Sequence, residues 1–321
     1  MTNVIFISGV SIDRTPVVKY TIENLQSAGI HCTKLELKKS RFFFICRAFW
    51  LICLTRKKRI FFVGLQSLPL VVFASFFKID MYYWFLESYS GKENRSLVLR
   101  LTIFERFVIW NHVIAIFPIS ARARPYSSYD FKKLIFIPNA TKAGVAFSKR
   151  EFLTNPIRIV FYGCLDESRV FINEFMDFIA NRAGFELHIY GDSNQVKEKS
   201  GRITNIDFHP SLPHAELIKE LARYHYTVVG YKPVDFNSEF CAPNKLFEAF
   251  SLSLPPIVNS GNPTLANFEG IRSLGVVYDF DHLDEKLLSI LLDNEIYSEL
   301  NKNTHKMYAE CFHLENYLCQ L

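Results

Sequence analysis

One short segment, residues 239–261 (EFCAPNKLFEAFSLSLPPIVNSG), combines residue types that suit anion binding. Pro243 fits the first turn of a helix because its missing N–H is not needed there, so we predict a helix over residues 244–252. Lys245 and Glu248 stand three residues apart, away from the apolar face, and can both reach an external group. A lysine is mildly unfavourable near a helix N-terminus, which carries positive partial charge. The segment therefore predicts an external anion that uses both the helix start and the lysine.

The elements around this segment alternate between strands and helices. Apolar runs rich in β-branched and aromatic residues predict strands, and stretches with helical spacing separate most of them. The predicted strands are residues 4–8, 31–37, 60–63, 81–85, 113–117, 134–137, 157–163, 185–191, 203–208, 226–231 and 275–280. This alternation is typical of the doubly wound α/β class, in which ligands bind at the carboxyl ends of parallel strands.

A length of 321 residues predicts two domains. We predict a first domain over residues 1–145, a linker over residues 146–156 and a second domain over residues 157–301. A final helix over residues 302–321 is predicted to pack back across the domains.

The composition is that of a folded globular protein, with 49% hydrophobic and 21% charged residues. A net charge of +5 is modest for this length and does not favour nucleic-acid binding. Seven scattered cysteines without a CxxC pair are typical of reduced thiols, and the N-terminus MTNVIFISG lacks a signal-peptide pattern. We therefore expect a cytoplasmic protein.

Residues 38–59 (KKSRFFFICRAFWLICLTRKKR) form an apolar aromatic run between basic clusters. The uninterrupted part is shorter than the roughly 20 residues that a spanning helix needs. A helix in the headgroup plane of an anionic membrane fits the pattern, and the alternative is a core helix with solvated basic ends. We expect peripheral binding to the inner face of the cell membrane, because the apolar run over residues 68–77 reinforces it.

The tandem α/β pattern with PNKLFE and LPPIV resembles GT-B glycosyltransferases, specifically the retaining, family 4-like enzymes of bacterial polysaccharide and O-antigen or capsule synthesis. Pro243, Lys245 and Glu248 match the family's P-x-K-x-x-E, Pro255 matches a later proline, and Ser253 stands where glycine is usual. The resemblance covers most of the chain and implies two Rossmann-like domains facing a central cleft. It also implies that Glu248 holds the donor's ribose hydroxyls and that Lys245 neutralises charge on the departing diphosphate.

The segment FYGCLDESR resembles the family's G-R-L-x-x-x-K after the first strand of the second domain. Gly163 matches, Arg169 takes the lysine position, and Cys164 takes the arginine position, which removes one expected phosphate contact. In HIYGD, Gly191 resembles the glycine near the nucleotide base. These matches imply that Gly163, Arg169 and Gly191 bind the donor. His214, in SLPHAEL, follows the family's loop before a helix and is interpreted as an exposed cap residue.

The family's two glutamates lie eight positions apart, but Phe240 stands eight positions before Glu248. Glu239 is displaced by one residue, and a carboxylate shifted in a loop can still reach the sugar. Glu239 is therefore a candidate catalytic residue together with Lys245, and the backbone N–H groups of Phe240, Cys241 and Ala242 are alternative contacts for the sugar. Pro243 and Asn244 are further donor-binding candidates.

Candidate residues also follow strands of the first domain. Gly9 follows the first strand, where glycine permits close approach to donor phosphates. Asp13 and Arg14 follow in the same loop and are predicted to face the acceptor. Glu87, at the end of MYYWFLES, resembles the family's acidic residue near the acceptor and can orient or deprotonate a hydroxyl; capping of the next segment is the alternative.

We hypothesise a glycosyltransferase that moves a sugar from a nucleoside diphosphate sugar to a hydroxyl of a lipid-linked glycan. Two alternatives stay open: a GT-B-shaped sugar-nucleotide epimerase or hydrolase, and a catalytically weak partner of a polysaccharide assembly complex. No metal or other cofactor is expected, since the two acidic residues of DFD, residues 279–281, are a weak pattern for a metal site.

Overall fold

The structure is a computed structural model that describes residues 3–12, 15–37, 41–54, 59–77, 79, 81–86, 107–139, 153–311, 314–318 and 321. The predicted roles of Asp13, Arg14 and Glu87 lie outside these residues and stay predictions. Residues 38–40 and 55–58 at the two ends of the aromatic segment, which include the basic residues Lys38, Lys39, Arg56, Lys57 and Lys58, also lie outside them.

The chain forms two compact units. The first comprises Met1–Lys142 with Leu314–Leu321, and the second comprises Ala143–His313. The linker predicted over residues 146–156 thus falls at the start of the second unit.

The first unit contains a six-stranded sheet in the order β2-β1-β3-β4-β5-β6. All neighbouring strands are parallel. Its strands are β1 Asn3–Ser8, β2 His31–Glu36, β3 Arg59–Val63, β4 Met81–Trp84, β5 Val113–Phe117 and β6 Lys133–Phe136. Ile5 and Ile7 of β1 pack into one core, and Val4 and Phe6 pack into the core on the opposite face. Both faces of this sheet are therefore covered, which explains why its inner strands are apolar runs.

Helices cover the faces of this sheet. The α-helices are α1 Pro16–Ser27, α2 Arg41–Leu54, α3 Leu68–Ser75 and α4 Ser120–Ala123, and single 3₁₀ turns occur at Leu65–Ser67, Trp110–His112 and Arg124–Tyr126. In the described ranges, none of the helices has the length and apolar character needed to span a membrane.

The second unit contains another parallel six-stranded sheet, in the order β12-β11-β10-β7-β8-β9. Its strands are β7 Ile157–Tyr162, β8 Phe185–Tyr190, β9 Ile206–His209, β10 Tyr226–Val229, β11 Pro256–Asn259 and β12 Val276–Tyr278. Its helices are α5 Ile172–Ile179, α6 Asn194–Ser200, α7 His214–Leu221, α8 Phe236–Glu239, α9 Asn244–Ser251, α10 Pro263–Ala266, α11 Ile271–Leu274, α12 Glu285–Leu292 and α13 Asn294–Cys311. The predicted doubly wound α/β class is confirmed in both units.

The last long helix differs from the prediction that a helix begins at residue 302. Helix α13 begins at Asn294, because the Asp293 carboxylate accepts hydrogen bonds from the N–H groups of Glu295 and Ile296. It stays in the second unit, where Asn301 donates to the Ser253 carbonyl. After α13 the chain returns to the first unit with Leu314–Leu321, which includes the short helix α14 Glu315–Leu318.

Candidate functional site

The winding of the second sheet reverses at β7. The chain continues from β7 to β8 and β9 on one side, and then to β10, β11 and β12 on the other. The loops after β7 and β10 therefore diverge at the carboxyl ends of adjacent strands, where open α/β sheets bind ligands. Gly163 follows β7, Tyr231 follows β10, and α9 connects β10 to β11.

Helix α9 begins immediately after Pro243, whose backbone is extended. Its apolar residues are buried, but so are Lys245 and Glu248, of which only 6% and 4% are exposed. Charged residues are seldom buried to this degree unless they are paired. Both side chains therefore lie in the interior of the second unit, and the groups around each of them must account for its burial.

Three aromatic rings surround the Lys245 ammonium. Its Nζ lies 5.0 Å from the ring centroid of Phe161, 5.7 Å from that of Tyr162 and 5.1 Å from that of Tyr231. Within the described part of the chain, this buried Nζ has no hydrogen-bond partner. Burial lowers the pKa of Lys245 to about 8, because desolvation disfavours the charged form. The rings stabilise the cation only in part, so the site holds a positive charge to which the described residues offer no hydrogen-bond acceptor.

The Glu248 carboxylate is held from two sides. The Tyr162 hydroxyl donates to Oε2 over 3.0 Å, and Nε2 of His214 lies 2.9 Å from Oε1. Burial raises the pKa of Tyr162 well above its usual range, and the charge of Glu248 adds to the effect. Tyr162 therefore stays protonated and acts as a donor at every physiological pH.

Two glycines that the sequence predicts near the donor serve close packing. Gly163 has a φ of 90°, and a Cβ there would lie 3.0 Å from Cε of Lys245. A Cβ on Gly191 would lie 2.6 Å from Cδ1 of Leu165 and 2.9 Å from the Gly163 carbonyl oxygen. The glycines thus bring the loop after β7, the loop after β8 and Lys245 together.

A groove of about 490 Å³ lies along these loops. Its lining includes Gly163, the exposed thiol of Cys164, and the carboxylates of Asp166 and Asp192. Since Cys164 replaces the arginine of the resemblance, the positive charge closest to Gly163 is that of Lys245, with Nζ 3.6 Å from the position of the added Cβ.

Arg169 makes contacts within the protein. Its guanidinium lies 3.3 Å from Oδ2 of Asp235 and donates to the Ser238 hydroxyl over 3.4 Å. Asp235 also caps α8 by accepting from the Ser238 N–H. Arg169 thus attaches the loop after β7 to α8, and its charge is partly balanced by Asp235.

The residues between α8 and α9 differ in what they can offer a ligand. Glu239 ends α8 and is partly exposed. The N–H of Phe240 donates to the carbonyl of Phe236 over 3.0 Å, so this group already has an acceptor within the protein, and the predicted contact of the segment with a sugar stays a prediction. Of the next four candidates, Cys241, Ala242 and Pro243 are buried and Asn244 is exposed.

Gly9, in the first unit, packs against protein. A Cβ on Gly9 would lie 2.7 Å from Cβ of Gln66, which explains the glycine without a ligand. The candidate site formed around Lys245 and Glu248 belongs to the second unit, and the role of Gly9 in donor binding stays a prediction.

The sequence did not identify Tyr162, Tyr231 and His214 as parts of the site. Tyr162 and Tyr231 follow apolar strand runs and are indistinguishable from core residues by periodicity. His214 is partly exposed, as expected of a cap, but its ring also contacts Glu248 from 34 positions away. Only the packing of α7 beside α9 brings the two together.

The two acidic residues Asp279 and Asp281 lie in a local turn. The Asp281 N–H donates to Oδ1 of Asp279, and Nδ1 of His282 lies 2.8 Å from Oδ2 of the same carboxylate. Across the residues described, no cluster of three or more potential metal ligands is found.

No protein-family model matches the chain, and no curated protein matches its sequence. Solved structures are similar in fold. The Anabaena Alr3699/HepE complex with UDP and glucose has a TM-score of 0.69 and 11% identity, covering 100% of this chain and 98% of that chain. The lipopolysaccharide outer core galactosyltransferase WaaB, in its apo form, has a TM-score of 0.65 and 11% identity, covering 98% of each chain.

Two further structures extend the comparison. A putative UDP-N-acetylglucosamine 2-epimerase from Listeria monocytogenes has a TM-score of 0.63 and 12% identity, covering 99% of this chain and 94% of that one. TarM has a TM-score of 0.63 and 13% identity, and this chain spans 56% of its length. At such identities the likeness concerns the fold: the chain has the two-domain α/β GT-B fold, as the sequence predicts.

Proposed function

We propose that the protein is a glycosyltransferase that moves a sugar from a nucleoside diphosphate sugar to a hydroxyl of a lipid-linked glycan in cell-surface polysaccharide synthesis. In this proposal Lys245 binds the diphosphate and Glu248 accepts hydrogen bonds from the ribose hydroxyls. The GT-B fold supports it, as do the complexes of HepE with UDP and UDP-glucose. Retention of the anomeric configuration rests on the motif resemblance.

The proposal depends most on the buried Lys245 ammonium at the reversal point of the sheet, for which the described residues provide no hydrogen-bond acceptor. A diphosphate entering there supplies anionic oxygens, and charge-assisted hydrogen bonds are about twice as strong as neutral ones. When the sugar departs, negative charge grows on the diphosphate. An ammonium already fixed beside it stabilises that charge with little reorganisation.

Product analysis tests the proposed reaction. The purified protein is incubated with UDP-, GDP-, dTDP- and ADP-sugars, with and without a lipid extract as acceptor source. We expect one nucleotide sugar to release its diphosphate and to label the lipid, and Lys245→Met to lose both activities. Diphosphate release or lipid labelling that is undiminished in Lys245→Met would contradict the proposed role of this site.

The second candidate function is a sugar-nucleotide epimerase or hydrolase, favoured by the fold likeness to the Listeria protein. The same incubation separates the two functions. An epimerase converts the nucleotide sugar without acceptor and without releasing the diphosphate, and a hydrolase releases the free sugar. Either product in place of labelled lipid would replace the transferase proposal.

We also propose that the first unit binds an anionic membrane through an aromatic face, defined as Phe43, Trp50 and Phe76. These residues are 74%, 63% and 70% exposed. Arg47, which lies between Phe43 and Trp50 in the sequence of α2, is also exposed. Helix α2 contacts α3, which directly precedes Phe76. Exposed aromatic residues on α2 and directly after α3, with a cation on α2, suit the headgroup region of anionic lipids.

Vesicle flotation tests this face. Vesicles of phosphatidylcholine with and without phosphatidylglycerol are mixed with wild type, Phe43→Glu and Trp50→Glu. We expect binding to the anionic vesicles only, and each substitution to reduce it. Leu292→Glu, at a residue 54% exposed in the second unit, is the matched control and should bind like wild type. Unchanged binding by both aromatic variants would exclude this face.

A further inference from the structure

We infer that His214 is a positioning residue for nucleotide recognition: its imidazole fixes the Glu248 carboxylate so that the remaining acceptor positions receive a vicinal diol. The inference rests on the proposed role of Glu248 in ribose binding. It assigns to His214 a function that acts through Glu248.

The count of hydrogen bonds at Glu248 supports the inference. An ionised carboxylate offers about four acceptor positions. Tyr162 uses one on Oε2 and His214 uses one on Oε1, at 3.0 and 2.9 Å. Counting partners from the described residues, about two of these positions remain, which is the number of donors that the 2′- and 3′-hydroxyls of a ribose present.

Two separate elements hold the carboxylate. The terminal torsion of a glutamate side chain is broad, so a single contact leaves the carboxylate free to rotate. Tyr162 ends β7, and His214 begins α7, which places one donor on each oxygen. If either donor is removed, the remaining hydrogen bond alone should not keep the Glu248 carboxylate from rotating about its terminal torsion.

The exposure of the two donors differs. Tyr162 is buried, whereas the His214 side chain is 37% exposed. The Glu248 side chain is 6% exposed, so of the three groups the imidazole of His214 is the one that solvent reaches most. Loss of the imidazole should therefore affect ligand recognition more than it affects folding.

The ratio of the affinities for UDP and dUDP measures the orientation of Glu248, since dUDP lacks one of the two hydroxyls. If wild type responds to another base, the corresponding ribo- and 2′-deoxynucleotide pair replaces UDP and dUDP. We expect wild type to prefer the ribonucleotide by roughly tenfold or more, the effect of a hydrogen bond to a charged group. His214→Ala should bring this ratio close to one, and His214→Gln, which keeps an N–H donor, should restore most of it.

The control is His282→Ala. This variant also removes a contact between a histidine and a carboxylate, that of His282 with Asp279, in the same unit. It should leave the ratio unchanged. His214→Met retains side-chain volume without a donor and serves if the alanine variant does not fold. A wild-type ratio in His214→Ala or His214→Met would overturn the inference while leaving the proposed function intact. Failure of wild type to bind any nucleotide would overturn both.

Discussion

Gly163 and Lys245 fit together at the carboxyl end of β7, where a Cβ on the glycine would lie 3.0 Å from Cε of the lysine. The glycine also has a φ of 90°, a backbone conformation that residues with a side chain rarely adopt. The conformation of the loop and the placement of the buried ammonium therefore depend on each other.

Gly163→Ala should act on both stability and binding. The left-handed backbone costs on the order of 1 kcal/mol for a residue with a side chain, and the new methyl group displaces Lys245. We expect a lower free energy of unfolding in urea and a nucleotide affinity reduced at least several-fold. Gly29→Ala is the control, because Gly29 has a φ of 78° but no atom within 4 Å of an added Cβ. Nucleotide binding that is equally unaffected in both variants would contradict the coupling.

Lys245→Met should stabilise the protein while removing nucleotide binding. The pKa of Lys245 is lowered from 10.5 to about 8 on folding, so the unfolded chain binds more protons between these values. The contribution of Lys245 to stability is therefore unfavourable below pH 8 and improves as pH rises toward 10.5. We expect the variant to gain about 1–3 kcal/mol at pH 7, with the gain shrinking above pH 8. Urea unfolding at pH 7 and pH 9.5 measures it, and a destabilised variant at pH 7 would refute it.

Nucleotide affinity should fall as pH rises above 8. A diphosphate binds the protonated form of Lys245, whose pKa is lowered to about 8 in the free protein. Above this value affinity should decline by up to about tenfold per pH unit, and binding near pH 8 should take up protons. Calorimetry in two buffers of different ionisation enthalpy measures the uptake. An affinity that is constant between pH 7 and pH 9.5 would contradict the role of the ammonium.

Tyr162→Phe should weaken both the fold and nucleotide binding. The variant removes a buried donor to Glu248, with an expected loss of about 1 kcal/mol in the free energy of unfolding. Tyr226→Phe is the matched control, because the buried Tyr226 hydroxyl has no hydrogen-bond partner among the residues described. Thermal unfolding with and without nucleotide compares them, and the control should be neutral or more stable. A larger loss in Tyr226→Phe than in Tyr162→Phe would contradict the contacts described here.

Much of the fold is predictable because the strands of parallel sheets are buried on both faces and form apolar runs. The start of α13 is harder to predict, since it depends on the capping by Asp293 in a polar stretch. The resemblance identifies position 253 as a usual glycine, and Ser253 indeed has a positive φ of 50°. In this case a motif indicates a backbone conformation even though the residue has changed.

The site is predictable only in part. The spacing of Lys245 and Glu248 in the sequence indicates an anion site. It does not indicate that both side chains are buried, because their burial results from packing against the ends of β7 and β10. Tyr162 and His214 come from distant segments, and no spacing rule connects them to Glu248. Arg169 matches a motif lysine, yet its pairing with Asp235 is a property of the folded unit.

The central claim is that the second unit binds a nucleoside diphosphate through Lys245 and Glu248. Calorimetric titration of UDP, GDP, dTDP, CMP and ADP into wild type, Lys245→Met and Glu248→Gln tests it most directly. We expect one nucleoside diphosphate to bind wild type and its affinity to fall at least tenfold in each variant. Binding of equal affinity in wild type and Lys245→Met, or no binding of any nucleotide to wild type, would contradict it.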